Sequence, residues 1–99
     1  MITKKEIQSI DRNYFDVIQA TPYIITLRSR NCGHYWALEL EEYPSFRHFK
    51  VYHKHHQWNE FHRHRDVGNL RRAFIDIRSH DAFQMNGRRP VQRNSYLTC

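Results

Sequence analysis

Hydrophobic positions along this chain switch between helical and alternating spacing, and each switch marks an element. Ile2, Ile7 and Ile10 surround the tetrapeptide Thr3-Lys4-Lys5-Glu6. There the Thr3 hydroxyl accepts from a free helix N–H, Glu6 reaches back to the cap, and Ile2 and Ile7 take the two places of a hydrophobic staple. The pattern predicts a short helix over about residues 4–12. Tyr14 to Gln19 is a shorter apolar stretch, strand or loop, that stops at Ala20-Thr21-Pro22, where proline removes a ladder donor.

Alternation is clearest in Tyr23 to Arg30 and His34 to Glu41, two β-branched and aromatic segments joined by Asn31-Cys32-Gly33. Asn and Gly tolerate positive φ, so the join reads as a hairpin turn. Period two then puts Tyr23, Ile25, Leu27, Trp36, Leu38 and Leu40 toward the core, with Thr26, Arg28, Arg30, Tyr35, Glu39 and Glu41 on a face of mixed charge. Phe46 to His55 alternates again, with Phe49 and Val51 as core positions, and Phe61 to Arg65 reads as a short fourth strand. Asp66 or Asn69 caps a helix in which Leu70, Ala73, Phe74 and Ile77 keep helical spacing. Its outer side carries Arg71, Arg72 and Arg78, a solvated face.

The expected fold is therefore α+β: an N-terminal helix, a three- to four-stranded antiparallel sheet, and a C-terminal helix packed on one face. Residues 1–85 form the compact domain; residues 86–99, with Arg88 and Arg89, read as a basic, flexible tail. A chain of 99 residues with 39% hydrophobic and 14% aromatic residues supports one core and not two. No apolar run approaches the roughly 20 residues of a membrane helix, so no membrane partner and a cytoplasmic address are expected. Cys32 and Cys99 have neither disulfide density nor metal-ligand spacing and read as free thiols.

Charge changes this picture more than composition does. Residues 1–46 hold five lysines and arginines against six carboxylates, whereas residues 47–99 hold eleven against four and seven of the eight histidines. The second half is thus the partner-facing candidate. Arg47, Lys50, Lys54, Arg63, Arg65, Arg71 and Arg72, interleaved with Tyr52 and Trp58, supply cations for phosphates and flat rings for bases. They point to a non-enzymatic binding module that contacts nucleic acid or a nucleoprotein.

The densest constellation runs from His53 to His64. In a strand, His-x-His puts both rings on one face, and a turn across residues 56–61 would set His55 opposite His62 and His53 opposite His64. His53, His55, His62 and His64 are accordingly the candidate ligands for zinc or another divalent transition metal, although a reading without any cofactor suffices for a basic hairpin. Against the metal stand Lys54, Arg63 and Arg65 beside these histidines in sequence, and the shared parity of His53 and His55 with core residues Phe49 and Val51. Histidines among cations also have the residue types of a metal-independent ribonuclease. A further reading is a protein-binding inhibitor or accessory factor of a nucleic-acid-processing enzyme, of viral or mobile-element type, since Tyr, Trp and Arg anchor interfaces.

The order of elements over residues 3–80 is similar to that of double-stranded-RNA-binding domains and of HicA-type toxins. Gly33-His34-Tyr35-Trp36 lacks the serine of the Gly-Ser-His strand motif of those toxins, and Asp66-Val67-Gly68-Asn69-Leu70-Arg71-Arg72 replaces the lysine-rich helix start of the RNA binders. Neither family is assigned on such a likeness, which concerns element order alone and does not carry function.

Overall fold

The computed structural model describes residues 1–87. Its framework is a five-stranded antiparallel meander in which every strand pairs with its neighbours in sequence. The strands are β1 (Phe15–Ala20), β2 (Ile24–Ser29), β3 (Tyr35–Glu42), β4 (Arg47–Lys54) and β5 (His62–Val67). Two helices, α1 (Lys4–Gln8) and α2 (Leu70–Met85), complete the described chain. The sheet thus has one strand more than the three or four expected. The extra strand is the Tyr14–Gln19 stretch, which forms β1 at the edge and buries Phe15 against the core.

α1 has the expected capping box, with Glu6 N–H donating to the Thr3 hydroxyl and Thr3 N–H to the Glu6 carboxylate. It ends after Gln8, short of residue 12, because Ser9 satisfies the last turn: its hydroxyl donates to the Glu6 carbonyl at 2.6 Å. The Arg12 guanidinium then donates to the carbonyls of Ile7 and Ile10, so the chain turns toward β1. α2 starts at Asn69, whose side chain accepts from Arg72 N–H at 2.8 Å.

Both helices contribute to a single core on one face of the sheet. Ile2, Ile10, Phe15, Ile25, Leu27, Trp36, Leu38, Phe49, Val51, Ala73 and Ile77 belong to it, as alternation and helical spacing demand. Truncating a ring as enclosed as Phe15 or Phe49 to alanine costs about 3–5 kcal/mol. Tyr23 departs from expectation. It precedes β2, so strand parity does not govern it, and it is exposed. Arg78 departs too: it is half-buried over the Tyr14 ring and donates to Asp11 at 3.0 Å, which leaves Arg71 and Arg72 as the exposed arginines of α2. From residue 88 the expected tail, with Arg88, Arg89 and Cys99, lies outside the described residues. Within them, no helix is long and apolar enough to cross a membrane.

Candidate functional site

Alternation along β4 that buries Phe49 and Val51 carries His53 inward as well, leaving it 2% exposed at the end of the helix-covered face. Its register partner on β3 is Trp36, and the two rings stack with centroids 4.2 Å apart. Between β2 and β3 the chain reverses through Gly33, whose φ of +74° is a conformation that L side chains rarely adopt. The turn delivers His34 so that its Nδ1 lies 3.1 Å from His53 Nε2. One of these nitrogens donates and the other accepts, as the two tautomers dictate.

A third imidazole comes from α2. One turn beyond buried Ile77, His80 points back at the sheet, its ring 4.8 Å from His53 and edge-on to Trp36. His55 stacks on His34 at 4.3 Å, and His64 of β5 lies 5.0 Å from His80. Burial is the main force on their titration. Burial, followed by the neighbouring His80 and His34, pushes His53 down to about 3. Burial and His64 push His80 down to about 4, and burial and Arg65 lower His64. These rings are neutral at physiological pH.

Beside the imidazoles lies a second polar group. Asp81 is fully buried and accepts from the Tyr14 hydroxyl at 2.6 Å and from Cys32 Sγ at 3.1 Å. Burial and the Asp81 carboxylate push the Cys32 thiol up to about 12, so it is protonated and a poor nucleophile.

The four histidines singled out from the sequence meet as rings, but their donor atoms do not form the converging set. His53 has His55, His62 and His64 around it at 4.9, 5.4 and 6.1 Å between centroids. The nitrogens that converge, all within 4.8 Å of one another, belong to His34, His53 and His80. The expected pairing is corrected as well: His53 faces His62 and not His64, because β5 pairs one residue out of the expected register at Val51–Arg65 and shifts by one more between Val51 and Tyr52. That irregularity pairs Arg63 with Tyr52 and Arg65 with Val51, and so sends the two arginines to opposite faces. His80 stands three residues past Ile77 on the apolar stripe of α2, a position from which the sequence pattern could have drawn it into the cluster. His34 could have been drawn in by its place directly after the turn.

The other sheet face carries Arg28, Tyr35, Glu39, Glu41, His48, Lys50, Tyr52, Lys54, Arg63 and Asp66, and among the described residues no helix covers it. Many of the basic residues are paired. Lys50 and His48 bind Glu41, Arg63 makes a bidentate contact with Asp66, and Arg65 and Arg72 share Asp76 on the helix side. Arg47 also lies on the helix side, held by Glu6 at 2.5 Å. Cations and rings concentrate at one end. There Arg28 and Lys54 approach the Tyr35 ring, with 5.8 and 5.3 Å to its centroid, and Lys54 also stands 4.5 Å over Phe61. At the tip of the β4–β5 connection Trp58 is 80% exposed and stacks on His56.

Compared with protein-family models, curated proteins and solved structures, the chain matches none of them.

Proposed function

We propose that the chain is a non-enzymatic module that binds single-stranded nucleic acid on the uncovered sheet face and the adjoining β4–β5 tip. The observation that carries this reading is the Tyr35 ring flanked by Arg28 and Lys54 at the end of β4, from which the β4–β5 connection with its 80% exposed Trp58 continues. A flat ring between two cations offers a stacking surface to a base and a charge to its phosphate, and base stacking on such rings contributes about 1–3 kcal/mol per base. Tyr52, one strand over and opposite Arg63, extends the surface. Of the basic residues expected at an interface, Lys54 lies on this face together with Lys50 and Arg63, which are paired with Glu41 and Asp66, while Arg47, Arg65 and Arg72 are engaged with carboxylates on the helix side.

A ribonuclease draws less support. His53 is enclosed, and Lys54 and Arg63, which would have to meet a phosphorane, lie across the sheet from it. A protein partner is favoured by one feature, the exposed Tyr43–Phe46 stack at the opposite end of the same face, with centroids 4.8 Å apart.

Fluorescence titration with short RNA and DNA strands at two salt concentrations tests the proposal. Binding that weakens in Trp58→Ala and Tyr35→Ala but not in Arg47→Ala is expected. Because most cations are already paired, the salt dependence should be shallow, with a slope set by a few phosphates. No binding at low salt, or equal loss from Arg47→Ala, removes the reading.

A further inference from the structure

Three imidazoles from three separate elements meet at the end of the helix-covered face: His34 after the β2–β3 turn, His53 on β4 and His80 on α2. We propose that His34, His53 and His80 are the protein ligands of a divalent transition-metal site of the zinc class. The site is independent of the nucleic-acid face.

Geometry is the first support. Tetrahedral zinc with Zn–N bonds of about 2.0–2.1 Å holds its nitrogens about 3.3 Å apart. His34 Nδ1 and His53 Nε2 are 3.1 Å apart, and the third donor stands within 4.8 Å of both. Closing the set takes an approach of at most about 1.5 Å, from 4.8 Å to the spacing of a tetrahedral pair. The hydrogen shared between His34 and His53 lies between the two nitrogens, and moving it to the other nitrogen of the donor ring alone frees both lone pairs, because the acceptor ring already offers its own.

Unsatisfied buried atoms are the second support. Among the described residues three buried side-chain atoms lack a hydrogen-bond partner, Ser29 Oγ, His80 Nε2 and the Trp36 indole nitrogen, and the last two belong to this cluster. Buried polar atoms left unpaired are rare and costly, and an unplaced ion or its water is one common reason for them.

Charge is the third. Lys54, by strand alternation, and Arg63, by the β4–β5 register shift, are turned to the far face, and Arg65 is held by Asp76. The Asp81 carboxylate groups with Cys32 and His34 within 4.8 Å. It places a negative charge beside a cation. Three imidazole ligands leave a fourth tetrahedral position, as in zinc sites that hold a water.

Tag-free full-length protein, stripped with a chelator, is titrated with zinc by calorimetry and with cobalt(II) by visible absorption. One equivalent of metal is expected, with the d–d bands of tetrahedral cobalt. His34→Gln and His80→Gln should each weaken binding by at least the roughly 10–100-fold that loss of an outer-shell partner costs. His48→Gln and His56→Gln should leave it unchanged. If the ligand variants do not fold, nitrogen NMR of the wild-type rings decides: zinc should shift the imidazoles of His34, His53 and His80. Absence of stoichiometric binding, or shifts confined to His56 and His62, overturns the site.

Discussion

The Tyr14 hydroxyl donates a 2.6 Å hydrogen bond to the Asp81 carboxylate across 67 positions of sequence, tying the entry of β1 to the last half of α2. Asp81 is fully buried, so its charge is held in place by these donors and not by water. Without them, a buried carboxylate bears the full cost of desolvation.

Tyr14→Phe is therefore expected to destabilise the fold by about 1.5–3 kcal/mol, the range for a hydrogen bond to a charged group. Urea unfolding measures it. In a double-mutant cycle with Asp81→Asn the two losses should not add, because both remove one interaction. Full additivity would mean the contact does not stabilise the protein.

Stability of the metal-free protein should fall as pH drops below about 6.5. An unfolded histidine takes up its proton near that value, whereas native His53 stays neutral to about 3 and His80 to about 4. The unfolded chain then binds more protons, so acid favours unfolding. At pH 5 the contribution of His53 alone is about 2 kcal/mol, since each tenfold difference in proton affinity is worth about 1.4 kcal/mol. Carboxylates such as Glu41, which Lys50 and Tyr43 hold down to about 2, titrate below this window. Chelator-treated protein melted from pH 7.5 to 5 tests the sign. A flat profile would show that the histidines are not buried as neutral rings.

Asn69→Ala removes the acceptor for Arg72 N–H at the start of α2. A loss of about 0.5–2 kcal/mol is expected for a cap of this type. The urea midpoint should drop with an unchanged slope, because no surface-burying contact is lost. A loss below a few tenths of a kcal/mol would show that water replaces the cap.

Local chemistry was legible where neighbours in sequence decide the outcome. The Thr3–Glu6 capping box, the Asn31–Gly33 reversal, the helix cap at Asp66 or Asn69, which the structure gives to Asn69, and the inward parity of Phe49, Val51 and His53 were all readable. Each follows from a few successive residues and a fixed period. β1 was not clear in the same way, because an edge strand gains its identity from the neighbour it pairs with. The β4–β5 shift was not legible either, since one extra residue in a strand changes every later partner without leaving a mark in composition.

Sequence alone specifies an α+β chain with two capped helices, alternating strands and a second half rich in histidine and positive charge. Its densest histidine run was visible, but not which rings would share a centre. Tertiary structure decided that: α2 brings His80 over the sheet, the Gly33 turn brings His34 to His53, and the β4–β5 register shift sends Arg63 to the opposite face with Lys54. Converging donor atoms and separated charges are distances between elements, whereas periodicity within one element specifies faces but not neighbours.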